Sequence, residues 1–239
     1  MMYQNMDGVS PDEHLALEWH LFCSTDSGAS DGFHRYWEAD RPVVVVGRNS
    51  RVQDDVFLDA CAADGVPVLQ RFSGGGAVVL GPGCLNYAVA LPLVSQPGLA
   101  DVALSFRLLL ARIVAALSIE GLSLDGCTDL VLGGRKVSGN AQRRGRRALI
   151  QHGTLLYNFD PALATRYLRE PARRPVYRAD RLHAQFMGNL PFDGRRLLAR
   201  LMTSWDDLVP GISRCGYEGQ AGADARRIGS SDDAARTAG

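Results

Sequence analysis

The sequence is almost devoid of lysine. Its 26 basic residues are 25 arginines and one lysine, Lys136, and they are balanced by 26 acidic residues. A formal net charge of zero excludes a chain built mainly to coat nucleic acid or an anionic membrane. Long apolar runs are missing too. A clean run such as Val43–Val46 is far too short to span a bilayer. The N-terminal MMYQNMDGVSPDEH lacks the basic start and apolar stretch of an export signal. Cys23, Cys61, Cys84, Cys127 and Cys215 are odd in number, and no CxxC or HxxxH pair gives them metal-ligand spacing. These absences together predict a reduced cytoplasmic protein with buried thiols.

What is present is enough apolar sequence, 46%, for one substantial core. The lysine bias adds a pointer. Where arginine serves for every generic positive charge, the retained Lys136 suits a place that needs a compact ammonium on a flexible stem.

Along the chain, Pro11–Cys23 reads as a helix with Leu15, Ala16, Trp19 and Phe22 on one face, started by Ser10 and Pro11. Phe33–Glu38 and Val43–Gly47 read as strands, Asp54–Asp64 as a short helix, and Val66–Arg71 as a further strand. A glycine-rich turn, Ser73–Gly76, then feeds the strand Ala77–Leu80, and Leu85–Leu91 follows a second turn at 81–83. From Gly98 to Glu120, the residues Val102, Phe106, Leu109, Ile113 and Leu117 recur at helical intervals. Leu130–Leu132, Arg135–Gln142 and Ala148–Phe159 read as successive antiparallel strands. Smaller helices are expected over Pro161–Arg169 and Gly194–Trp205. With no internal repeat or linker, residues 1–217 read as one domain. Residues 218–239, whose only large apolar residue is Ile228, read as a disordered tail.

Three segments carry candidate chemistry. The first is Arg71-Phe72-Ser73-Gly74-Gly75-Gly76-Ala77-Val78. Its three glycines let backbone approach a ligand and aim amides at an anion, and Arg71 can supply a guanidinium. An ordinary glycine turn accounts for the same residues. No Gly-Lys-Ser/Thr follows, so this is not a Walker loop.

The second segment, Asp129 to Gln142, holds the lone lysine in Gly134-Arg135-Lys136-Val137-Ser138-Gly139-Asn140. In a strand Lys136 and Ser138 share a face, and Gly139 leaves room beside it for a bulky ligand. An ammonium there could neutralise a phosphate and a developing oxyanion; equally, an edge-strand lysine guards against aggregation. The third segment is Gln151-His152-Gly153-Thr154-Leu155-Leu156, where His152 could be a base or a satisfied core residue.

The three segments together, in this order, resemble the lipoate–protein ligase family of the biotin and lipoate ligase superfamily. An arginine, a Ser-Gly-Gly-Gly-Ala-Val loop and a following Asn-Tyr strand stand here as Arg71, Ser73–Val78 and Asn86-Tyr87. Gly-Arg-Lys-x-Ser-Gly stands as Gly134–Gly139, and His-Gly-Thr-Leu-Leu as His152–Leu156. The likeness extends from about Leu15 to about Leu208 and includes Tyr177-Arg178, His183, Phe186 and Asn189-Leu190.

The resemblance implies an α+β fold, a mixed and largely antiparallel sheet flanked by helices. It implies ATP-dependent activation of lipoate or octanoate to an acyl-adenylate, with Mg²⁺, and transfer of the acyl group to a lysine of a lipoyl carrier domain. That carrier would be a 2-oxoacid dehydrogenase E2 or a glycine-cleavage H-like protein; no nucleic acid or membrane partner is implied. By position, Lys136 would contact both carboxylate and α-phosphate. Arg71, Ser73, Gly74, Gly75, Gly76, Ala77, Val78 and Val79 would meet lipoate and nucleotide. Asn86, Asp129, Ser138, Gly139, Asn140, His152, Gly153 and Thr154 would line the pocket. Val78, Ala88 and Val137 fit an apolar acyl tunnel.

The sequence also departs from the family pattern. Leu80 stands where many members have histidine, Cys84 where asparagine is common, and Cys127 where arginine is frequent. Related octanoyl- and lipoyl-transferases use a cysteine nucleophile without ATP, so Cys84 or Cys127 offers an alternative chemistry. Only 34 residues follow Trp205, so the chain is expected to manage without the small C-terminal domain of many ligases, to obtain it from a separate accessory subunit, or to perform only the transfer step. The arginines at 143, 144, 146 and 147, with others over 169–181, suit docking of an acidic carrier; no aromatic stacking motif supports nucleic acid.

Overall fold

The computed structural model describes residues 9–126, 128–171, 174–206 and 208, and the backbone of 213–214. Cys127, Arg173 and the expected tail over 218–239 lie outside the described residues.

Helix α1 (Pro11–Ser27) begins where Glu13 accepts hydrogen bonds from the amide and hydroxyl of Ser10, both at 2.7 Å. Its last residue, Ser27, lies four beyond the expected stop at Cys23, and Gly28, with φ of +86°, closes the last turn. Strands β1 (Phe33–Trp37) and β2 (Val43–Val46) follow as expected. The expected helix over 54–64 is instead two short helices, α2 (Val52–Asp55) and α3 (Leu58–Ala63). Val56 between them is extended and bridges Leu168, a conformation that suits a β-branched residue.

Next come β3 (Val68–Gln70), β4 (Val78–Leu80) and β5 (Cys84–Pro92). Helix α4 (Val102–Leu117) is capped by Asp101, which accepts from the Leu104 amide at 2.7 Å, so 98–101 stays outside it. The strands β6 (Ser123–Asp125), β7 (Asp129–Leu132), β8 (Arg135–Arg144) and β9 (Ala148–Leu156) form a meander. The short helices α5 (Ala162–Tyr167) and α6 (His183–Phe186), then α7 (Gly194–Leu201) and β10 (Ser213–Arg214), complete the chain order. Neither β6 nor β10 is visible in the sequence pattern, being only three and two residues long.

Two sheets result. The larger has the order β10-β1-β5-β9-β8-β7-β6, and the smaller has the order β3-β2-β4. Among the described strands only the β1–β10 and β2–β3 pairs are parallel, as the expected mixed, largely antiparallel α+β architecture requires. Among the described residues no helix is long and apolar enough to cross a membrane.

Strand β5 explains how the layers stack. Its odd-numbered residues Leu85, Tyr87, Val89 and Leu91 join Leu109, Leu110, Ile113 and Trp205 in one core beneath α4 and α7. Its even-numbered Ala88 and Ala90 face the other way, where with Ala148 they let Phe22 of α1 come close. Ala88 and Val137 therefore sit in packed cores, Ala88 beside Phe22 and Val137 beside Leu130, and do not line the cavity expected of an acyl tunnel. A third core surrounds the small sheet.

Candidate active site

The junction of the two sheets encloses a cavity of about 790 Å³. Its apolar wall is a gap in the core around the small sheet, formed by Leu15, Trp37, Val45, Val79, Leu156 and Leu168 among others. Its polar wall comes from the ends of β7 and β8 and from the segment 174–187.

Lys136 stands in the polar wall. Its Nζ lies 2.8 Å from Asp129 Oδ1, and Tyr177 donates its hydroxyl to Asp129 Oδ2 at 2.7 Å. Burial, reinforced by the Asp129 charge, raises the Tyr177 phenol well above its ordinary value, so it stays a donor. A bulge between Leu130 and Val131 places Lys136 opposite Val131 and Ser138 opposite Leu130. Gly139 is glycine for a local reason: a Cβ there would lie 2.9 Å from Lys136 Cε and 3.0 Å from Nζ. The room beside Gly139 is thus taken by the lysine's own side chain. Gly153 is equally constrained, since a Cβ would meet Asn140 Oδ1 at 2.0 Å. That oxygen accepts from Tyr87 Oη at 2.5 Å, while Asn140 Nδ2 donates to Thr128 O at 2.7 Å.

The glycine loop is held from inside. Arg71 Nε donates to Ser73 Oγ (3.1 Å), Nη1 to Val45 O (3.3 Å), and Nη2 to Gly74 O (2.7 Å) and Gly76 O (2.9 Å). Burial pulls its pKa down to about 10, still charged at neutral pH. Gly75 has φ of +94°, and a Cβ there would lie 2.7 Å from Arg71 Nη2. Gly47 permits the crossing of the loop, because its Cβ would strike Gly75 O.

Behind the loop, His152 bridges two partners. Its Nδ1 is 2.8 Å from Glu18 Oε2 and its Nε2 is 2.5 Å from Ser73 Oγ. Glu18 also accepts from Trp37 Nε1 at 2.8 Å, and Arg35 lies 3.8 Å away. Burial opposes the charge on Glu18, but His152 and Arg35 outweigh it and hold the carboxyl below its ordinary range.

Most of the sequence-derived site residues meet at this cavity: Arg71, Gly75, Gly76, Ala77, Val78, Val79, Asn86, Asp129, Lys136, Gly139, Asn140, His152, Gly153 and Thr154 all line it. Ser73, Gly74 and Ser138 do not; Ser73 and Ser138 are fully buried behind its wall. Cys84 is fully buried too and does not line it. Burial, then the charge of Glu38, drives its thiol pKa far up, away from thiolate chemistry. Leu80, the departure from histidine, does line it.

Several wall residues escaped the sequence reading, notably Glu18, Trp37, Asp55 and Met187. Trp19, at the edge of the expected apolar face of α1, is only half-buried, whereas its neighbour Glu18 is 2% exposed. A charged residue inside an otherwise apolar helical stretch is the one signal that could have marked it. The basic turn after β8 lies at the far end of that strand from Lys136, roughly 25 Å away at about 3.3 Å per residue. There Arg144 donates to Ser105 Oγ at 3.2 Å and Arg147 to Ser27 O at 3.2 Å, so both also serve local packing.

Comparison with known proteins converges on this cavity's framework. The profile of a family described as the lipoyl protein ligase A/B catalytic domain matches residues 10–190. The chain is 31% identical over 160 residues to lipoate-protein ligase LplJ of Bacillus subtilis, covering 66% of this chain and 46% of that one. It is 32% identical over 184 residues to an octanoyl-[GcvH]:protein N-octanoyltransferase of Kyrpidia tusciae, covering 66% and 61%. A crystal structure of lipoate-protein ligase A bound with ATP shares the fold at a TM-score of 0.68 and 22% identity, covering 82% of this chain and 80% of that one. The chain spans about half the length of the curated relatives it matches.

Proposed function

The chain belongs to the lipoyl protein ligase A/B catalytic-domain family, and we propose that it activates lipoate or octanoate with ATP and transfers the acyl group to a carrier lysine. The observation that carries this reading is Lys136. The one lysine of the sequence stands in the polar wall of a cavity whose other wall is apolar. An aliphatic acid has its chain and its carboxylate served by the two walls. The ammonium can leave Asp129 to bridge a carboxylate oxygen and an α-phosphate, where charge develops during acyl transfer.

The acid's carboxylate attacks the α-phosphorus of ATP, pyrophosphate leaves, and the acyl-adenylate forms. A neutral carrier amine then attacks the acyl carbon, AMP leaves with the electron pair of the broken C–O bond, and the surplus amine proton passes to solvent. The phosphates would carry Mg²⁺, to which Asp125 and Asp129 in the polar wall could offer carboxylate oxygens; among the described residues no group of three potential ligands gathers. The chain's own part is positioning: the glycine loop approaches the ligand by backbone, and Arg71, Asn140 and Thr154 fix its surroundings.

The carrier is proposed to be a lipoyl domain of the E2 or H-protein kind, as the GcvH in the name of the octanoyltransferase relative suggests. A separate accessory subunit is part of the proposal, with the bi-partite lipoate protein ligase of Thermoplasma acidophilum, which shares the fold at a TM-score of 0.68, as its precedent. The second reading, a cysteine acyltransferase without ATP, finds no support at Cys84. It depends on Cys127, whose neighbours Gly126 and Thr128 line the cavity.

Incubation with lipoate, Mg-ATP and apo-carrier domain should add the lipoyl mass to the carrier, and omission of ATP should abolish it. Cys84→Ala should leave this rate within about twofold of wild type, as expected for a buried side chain away from the chemistry. Transfer from an acylated carrier without ATP, with an acyl mass on Cys127, would instead establish the second reading.

A further inference from the structure

With His152 neutral, the hydrogen-bond chain behind the glycine loop has one self-consistent direction. Arg71 Nε can only donate, so Ser73 Oγ accepts from it at 3.1 Å and has its own proton to give. At the other end the Glu18 carboxylate can only accept, so His152 Nδ1 carries the hydrogen across 2.8 Å. His152 Nε2 is then the acceptor for the Ser73 hydroxyl at 2.5 Å. Glu18 also receives Trp37 Nε1 from the apolar wall. One carboxylate on α1 thereby ties together the acyl wall, strand β9 and the loop whose carbonyls Arg71 grips.

Serine, histidine and glutamate at these distances would also describe an activated nucleophile. Burial decides against it. Ser73 is 0% exposed and takes no part in the cavity wall, so its oxygen cannot reach an acyl carbon.

We propose that Glu18 is a positioning residue for the acyl-activation step: it selects the Nδ1–H tautomer of His152 and, through Ser73 and Arg71, fixes the conformation of the glycine loop. This rests on the functional reading above. Glutamine keeps the shape of Glu18 but can donate as well as accept, so it releases the tautomer without leaving a void. In Glu18→Gln the Nε2–H form becomes allowed, and two donors then point at Ser73 Oγ.

The test uses the full chain labelled with ¹⁵N-histidine. The ring nitrogens of His152, assigned by loss of their signals in His152→Asn, should report Nδ1–H in the wild type and a mixture of tautomers in Glu18→Gln. Lipoyl-AMP formation from lipoate and Mg-ATP should fall roughly ten- to a hundredfold in kcat, the size typical of losing an orienting partner, with the KM for ATP little changed. Glu18→Asp, too short to span the gap, should not restore it. If Glu18→Gln does not fold, Ser73→Ala breaks the same chain without exposing a buried charge and should lower kcat in the same way. An Nε2–H tautomer in the wild type, or unchanged kcat in an active protein whose tautomer has shifted, overturns the proposal. An acyl mass on Ser73 would overturn it also. Absence of adenylate formation by the wild type would instead bring down the functional reading, and the role of Glu18 in it, whatever the tautomer.

Discussion

Arg71 and Lys136 are the two cations that the sequence nominates for the ligand, and the structure uses them differently. Arg71 is 8% exposed, and its three guanidinium nitrogens donate to four acceptors of its own surroundings. The Lys136 side chain is 28% exposed, with Asp129 as its ion-pair partner at 2.8 Å. The planar fork of arginine suits a permanent staple with several fixed acceptors; the flexible ammonium suits an exchangeable partner. One cation builds the loop, and the other is available to a ligand.

The largest effect is expected at the staple's weakest tolerance. Gly75→Val puts a branched side chain at φ +94° and against Arg71 Nη2. Ligand binding and adenylate formation should disappear while the circular dichroism spectrum persists; a soluble variant that still binds lipoyl-AMP would show that the loop is not in the ligand's path.

Next is Lys136→Ala. Loss of a positioned charge-stabilising donor costs about 3–4 kcal/mol of barrier, roughly a hundred- to a thousandfold in rate. Adenylation and transfer should both drop, with an unchanged melting temperature. Lys136→Arg should not rescue them, because the fork is too wide for a slot that Gly139 only just clears. Near-normal rates in Lys136→Arg would reduce the lysine to a generic charge.

Arg71→Met should do the reverse and act first on stability. It leaves the Gly74, Gly76 and Val45 carbonyls short of a donor, a loss of roughly 3 kcal/mol measurable by denaturant titration. A fully stable but inactive Arg71→Met would make Arg71 a ligand contact after all.

The smallest effect sharpens the same contrast at another buried base. His14 Nδ1 faces Arg35 Nη2 at 2.7 Å, so it must accept, and burial followed by the Arg35 charge lowers its pKa from 6.5 to about 4. The unfolded chain binds this proton first as pH falls. Stability from this group is therefore complete above about pH 6.5 and is lost as pH drops toward 4, by roughly 1–3 kcal/mol. Subtracting the stability profile of His14→Gln from that of the wild type should isolate this slope; a flat difference would mean that His14 is not held neutral.

The sequence by itself determined the frame of this protein. Alternating residues in Leu85–Leu91 and Ala148–Leu156, and the three–four spacing from Val102 to Leu117, specify the central strands and α4, because period and burial are local properties. The motifs singled out Lys136, Asp129 and the glycine loop; in the fold Lys136 pairs with Asp129, and both share one cavity with Gly75 and Gly76. What the sequence left undetermined depends on partners distant along the chain. The break at Val56 depends on Leu168, and the loss of Ala88 and Val137 to packed cores depends on which face the helices cover. Glu18 is only a charge within an apolar helical stretch until His152, 134 residues away, and Trp37 meet it in the fold. No local pattern encodes that meeting, because a buried carboxylate is stabilised only by donors that tertiary structure brings to it.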